Sequence, residues 1–147
     1  MNFKYTMKTL AVTLLFAAAP LSNIAHAAPA VAQQSFATPE DAGKALAEAV
    51  RAKDQSAVLG VLGFKSRSWI SSGDEVADRQ AAEKFLANYD RKHAISESSE
   101  GKAFLLAGED DWPFPAPLVK QANGWVFDSV AGREELLNRR VGANELG

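Results

Sequence analysis

The spacing of apolar residues changes once along the chain, at His93, and this change constrains the fold more than any single motif. Before it, apolar residues recur at helical intervals: Ala42, Leu46, Ala49 and Val50, then Ala57, Val58, Val61 and Leu62, then Ala81, Ala82, Phe85, Leu86 and Tyr89. After it, short apolar runs alternate with turn residues, the signature of strands and hairpins. Helices first and a meander of strands after them predict an α+β domain in which the helices cover one face of a curved antiparallel sheet.

Local signals set the boundaries. Thr38-Pro39-Glu40-Asp41 supplies a capping hydroxyl, a proline suited to the first helical position and two acids where the helix dipole favours them. Asp54 re-caps a second short helix that ends at Gly63. The stretch Phe64 to Asp74 reads as a short strand or extended turn. A third helix runs from Asp74 or Val76 to Arg91, with Arg79 and Glu83 as a surface i,i+4 pair. Ala94 to Ser98 and Lys102 to Ala107 flank Ser99-Glu100-Gly101 as a first hairpin. Leu118 to Ala122 and Trp125 to Val130 flank Asn123-Gly124, a dipeptide suited to a type I′ turn because both residues tolerate positive φ. In that last strand Trp125, Phe127 and Ser129 face the helices. Between the hairpins, the alternate prolines of Trp112-Pro113-Phe114-Pro115-Ala116-Pro117 predict an extended edge or crossing segment. Gly132 to Arg140 forms a final helix with Leu136 and Leu137 inward, stopped by Gly142. The helix and strand order is compatible with the cone-shaped fold of nuclear-transport-factor-two-like proteins, an analogy that carries no function with it.

The N-terminus predicts export. Lys4 and Lys8 form a positive region, Leu10 to Ala19 an apolar core, and Ala25-His26-Ala27 a small-x-small cleavage site, so residues 1–27 read as a signal peptide cleaved after Ala27. Ten apolar residues span about 15 Å as a helix, half of a bilayer core, so no stable membrane anchor is expected. The mature protein is expected in the periplasm or outside the cell, with 28–37 as a flexible lead-in and 38–147 as one domain. Disulfides are permitted in that compartment, yet the chain has no cysteine, so packing alone must stabilise the fold. The 16 basic and 18 acidic residues fall to 14 and 18 once Lys4 and Lys8 leave with the signal, a net charge of −4. Such a balance disfavours a nucleic-acid partner.

Few residues suggest chemistry. His93 is the one histidine outside the signal, so zinc sites built from two or three histidines are excluded, and no metal or cofactor is expected. His93 reads either as a cation at a basic helix end, after Arg91-Lys92, or as a general base. No nucleophile elbow, phosphate-binding glycine loop, dinucleotide fingerprint or EF-hand loop is present. Asp110 and Asp111, in the acidic run Glu109-Asp110-Asp111, read as a solvated turn or as part of a binding loop. Arg139 and Arg140 read as a favourably charged helix end or as a site for anions, with the acids as alternative partners. Trp112, set between acids and prolines, is the aromatic expected at a surface or cleft mouth. These five residues are the candidate ligand- or partner-binding set.

With these segments in place, the chain resembles a bacterial family catalogued as domain of unknown function 2950. The resemblance rests on Gln34-Ser35-Phe36-Ala37-Thr38-Pro39-Glu40, Ile70-Ser71-Ser72-Gly73-Asp74, Ala77-Asp78-Arg79, Phe85-Leu86 and Tyr89-Asp90. Its most specific stretches are Asp111 to Leu118, Gly124 to Asp128, and Gly132 to Leu146. It implies an exported protein, assigns no activity or catalytic residue, and implies a longer architecture of which this chain is the N-terminal part. The leading expectation is a non-enzymatic binding or interaction module whose partner is an envelope protein or the missing C-terminal region. The alternatives are a small hydrolase-like or lyase-like enzyme using carboxylates and His93 in a pocket, and a fragment without independent function.

Overall fold

The computed structural model describes residues 32–145, so the expected export signal and residues 28–31 lie outside the described part. Five α-helices and a five-stranded antiparallel sheet make an α+β domain, as the change of periodicity at His93 predicts.

Helix α1 (Pro39–Arg51) begins as its sequence dictates, with the Thr38 hydroxyl accepting the Asp41 N–H at 3.1 Å. It buries Ala42, Gly43, Leu46, Ala47 and Ala49 along one stripe. Gly43 lets it lie close to the sheet, since a Cβ there would sit 3.0 Å from a Leu105 methyl. Helix α2 (Gln55–Leu62) is capped by Asp54, whose carboxylate accepts the Ala57 N–H at 3.0 Å.

The stretch after α2 departs from expectation. Instead of a strand, Phe64–Ser66 is a 3-10 turn that runs into a one-turn helix α3 (Arg67–Ile70). Ser66, fully buried, donates to the Gly63 carbonyl at 2.6 Å, and the Trp69 indole N–H reaches the Ser129 carbonyl at 2.9 Å. Helical winding is what brings Trp69 and Ile70 inward together. Helix α4 (Glu75–Arg91) starts at its Asp74 cap, but its buried face is narrower than the spacing suggests: Tyr89 is buried, Ala82, Phe85 and Leu86 are half-buried, and Ala81 is exposed.

Strands β1 (His93–Glu97) and β2 (Lys102–Ala107) form the expected first hairpin, with His93 opposite Ala107 and Glu97 opposite Ala103. The other edge of β2 is shared by β3 (Trp112–Pro113) and β4 (Leu118–Gln121), so of the proline-rich segment only its first two residues are strand, a short edge on β2. Strand β5 (Gly124–Phe127) pairs with β4, Gln121 opposite Gly124. The turn is therefore Ala122-Asn123, one residue earlier than expected, and only Gly124 has positive φ (125°). The reason lies on the neighbouring edge. Phe36 exchanges two backbone hydrogen bonds with Trp125, and a Cβ on Gly124 would fall 2.4 Å from the Phe36 carbonyl oxygen.

That bridge also corrects the flexible lead-in. The Gln34 N–H donates to the Gly60 carbonyl at 2.8 Å and the Gln33 side chain donates to that of Phe127 at 2.7 Å, so the segment is fastened to the domain from Gln33 onward.

Leu46, Leu62, Leu105, Leu118 and Phe127 are almost wholly buried between the helices and the sheet. Phe114 packs among Trp69, Phe85 and Phe127, with ring centroids 6.1, 5.6 and 5.7 Å away. Such tilted and edge-on pairs add about 0.5–1.5 kcal/mol each to burial alone, which suits a core without disulfides.

The last helix differs from expectation at both ends. Helix α5 (Ser129–Glu145) starts where the last strand was expected to continue, because Asp128 accepts the Ala131 N–H at 3.0 Å as its cap. It runs through Gly142. Leu136 is half-buried, but Leu137 points outward and is 48% exposed.

Candidate functional site

Two of the five predicted residues, Trp112 and Arg139, meet at one corner. Strand β3 places Trp112 at the sheet margin, 42% exposed, and the Arg139 guanidinium lies 5.3 Å from its ring centroid. Arg139 is held there by two further contacts: its Nε donates to Glu135 Oε1 at 2.7 Å and its Nη2 to the Pro113 carbonyl at 3.1 Å. An exposed cation–π contact contributes about 0.5–1 kcal/mol, so this corner is oriented rather than strongly stabilised. Arg140, one residue on, is exposed.

The acids do not join Arg139 or Arg140. Asp111, in a left-handed conformation (φ 50°), pairs with Lys92 at 3.0 Å, and Asp110 is exposed without an ion-pair partner among the described residues. The triplet is a turn between β2 and β3. Among the described residues no group of three metal-ligating side chains converges.

A second feature was not visible as a unit in the sequence. A cleft of about 420 Å³ lies where the start of α1 faces β1, lined by Glu40, Asp41 and Lys44 on one side and Tyr89, His93 and Ile95 on the other. The His93 ring stacks on Tyr89, centroids 3.9 Å apart and planes 2° apart, and its Nδ1 contacts the Tyr89 carbonyl at 2.8 Å. A carbonyl accepts only, so Nδ1 carries the proton and Nε2 is the nitrogen left for other partners. Burial pushes the Tyr89 phenol above its usual range. Next to it, Arg51 grips Asp90 through two hydrogen bonds of 3.0 and 2.6 Å and holds that carboxyl below the usual carboxylate range. Glu40 and Asp41 read in sequence as dipole-complementing acids; only the packing of α1 against β1 puts them beside His93. Asp110 and Asp111 are not among the lining residues; the carboxylates that stand beside His93 are those of Glu40 and Asp41.

The arrangement defines an α+β domain with an aromatic and cationic corner and a mixed-charge cleft that sets His93 beside two carboxylates. A family model described as protein of unknown function (DUF2950) matches residues 33–147, and the chain belongs to that family. No curated protein and no solved structure matches the chain.

Proposed function

We propose that the chain is an exported, non-enzymatic interaction module of the cell envelope that presents the outer face of α5 to a partner protein, with the Trp112–Arg139 contact tethering the helix from its inner side. The observation that carries this reading is the outer face of α5. Of seventeen residues the helix buries only Ser129 and Gly132, while Val130, Leu137 and Val141 are 47%, 48% and 56% exposed. Spacings of seven and four residues put these three on one line within about 40° around the helix. Arg133 and Arg140 flank the line on one side and Glu134 and Glu145 on the other. An apolar line between opposite-charge flanks is the pattern that an amphipathic partner helix with reversed flanks would read.

Export is supported by Lys4, Lys8, the apolar run Leu10 to Ala19 and Ala25-His26-Ala27. Among the described residues no helix is long and apolar enough to cross a membrane. We further read the sheet, with α1, α2 and α4 against it, as the curved, cone-like arrangement suggested by the element order.

The test places a photo-crosslinking amino acid at Leu137, at Val130 and, as a control, at exposed Lys53 of the full chain in its host. The proposal expects an envelope-fraction adduct of a distinct protein at the first two positions and none at the control. No adduct, or an adduct at twice the chain's mass marking a second copy instead, would overturn it.

A further inference from the structure

The margin of the sheet at β1 carries an inference independent of α5. In an antiparallel ladder, residues alternate between bonding the neighbouring strand and pointing their backbone groups away from it. The Ser98 N–H donates to the Lys102 carbonyl at 2.8 Å at one end, and the Gly108 N–H to the Lys92 carbonyl at 2.8 Å at the other. With His93 opposite Ala107 and Glu97 opposite Ala103, the even-numbered residues of β1 therefore bond β2. The N–H and C=O groups of His93, Ile95 and Glu97 point outward, and among the described residues no strand or loop takes them.

An unpaired edge is ordinarily shielded by a charge, a bulge or a covering loop. Here the edge borders the cleft beneath the start of α1. The side chains of the edge-facing residues point to the helix side, as Ile95 opposite buried Leu105 shows. A strand added to this edge would hence insert alternate side chains between β1 and α1. One end of that space is closed by the His93–Tyr89 stack. Its far wall bears Glu40 and Asp41 against the single cation Lys44, and its floor is Ile95 and Leu105.

We infer that the β1 edge is a strand-addition site for an extended peptide that carries a basic side chain flanked, two residues away, by apolar ones. The backbone of His93, Ile95 and Glu97 supplies binding common to any extended segment, and the cleft supplies the selection. The carboxylates of Glu40 and Asp41 favour a lysine or arginine on the inserted face, and the Ile95–Leu105 floor favours an aliphatic neighbour. Antiparallel addition pairs the inserted residues directly with His93, Ile95 and Glu97, so their own amides complete the bonds.

The test uses the purified chain and the blocked peptide Thr-Val-Thr-Lys-Thr-Val-Thr, read by amide hydrogen exchange. At saturation the amides of His93, Ile95 and Glu97 should exchange at least about tenfold more slowly, while those of Ala94 and Ser96, already bonded to β2, should not change. N-methylation of the peptide at Val and Lys should abolish the protection, and N-methylation at Thr should leave it. Replacing the peptide's Lys by Glu should weaken binding about three- to fivefold, and the Glu40→Gln, Asp41→Asn double variant should remove that difference. Unchanged exchange at the three edge amides, or equal protection by the Val- and Lys-methylated peptide, would overturn the site. Equal binding of the Lys and Glu peptides would overturn its assigned chemistry.

Discussion

Helices α1 and α5 are built from similar residues and meet opposite fates. The thirteen residues of α1 bury six, including Leu46 at 1% exposure, against β2 and β5. The seventeen of α5 bury two, both near its N-terminus, and the helix packs mainly on the turn that holds Phe64 and on α3. An isolated helix of this length is marginal in water, so the first two turns of α5 and the Arg139 tether must hold the rest. The difference separates two uses of an apolar residue: α1 spends its leucine on the core, and α5 leaves Leu137 at the surface for something else to cover.

The largest effect should come from the core side of this comparison. Phe127→Ala, at the sheet face beneath the helices, should cost about 3–5 kcal/mol in urea unfolding. Within α5, the same substitution should change sign along the helix. A Cβ at Gly132 would meet Ala116 Cβ at 2.9 Å, so Gly132→Ala should destabilise by about 1–3 kcal/mol despite alanine's better propensity. Gly142 has nothing within 4 Å of such a Cβ, so Gly142→Ala should stabilise by about 0.5–1 kcal/mol. Equal shifts at the two glycines would mean that α5 is packed alike along its length.

The smallest effect concerns the exposed carboxylates. Ser72 donates through its N–H and hydroxyl to Asp78, and Arg51 donates to Asp90; both carboxyls lie below their usual pKa range. A depressed folded pKa gives stability that is present above the ordinary carboxylate value and is lost as pH falls through the folded one. Asp78→Asn and Asp90→Asn should thus lower Tm slightly at pH 7 and leave it nearly equal to that of the parent once pH drops below the folded values. A gap in Tm that widens on acidification would contradict this.

Much of the architecture is legible in local chemistry. Thr38, Asp54 and Asp74 mark three helix starts because capping needs only a side-chain oxygen and the next few amides. The first hairpin is equally local. What escapes reading depends on partners far along the chain. Phe64 to Ile70 shows no usable period, since its helical form is fixed by the bond from Trp69 to Ser129. Phe36 has no strand pattern around it, yet pairs with Trp125 and explains why glycine stands at Gly124. At the candidate sites, Trp112 and Arg139 are each recognisable as surface residues of interest, but their contact requires α5 to start at Ser129. Leu137 looks like a core residue by spacing, and only the position of α5 on the domain turns it outward.

The most direct test of the account asks whether the exposed line on α5 serves binding rather than folding. Leu137→Glu with Val141→Glu should leave Tm within about 2 °C of the parent, because surface changes away from packed contacts alter stability little. In the same double variant, the envelope adduct formed through a photo-crosslinker at Val130, on the same line, should disappear. An adduct that persists at parental yield in the folded double variant would contradict the assignment of this surface.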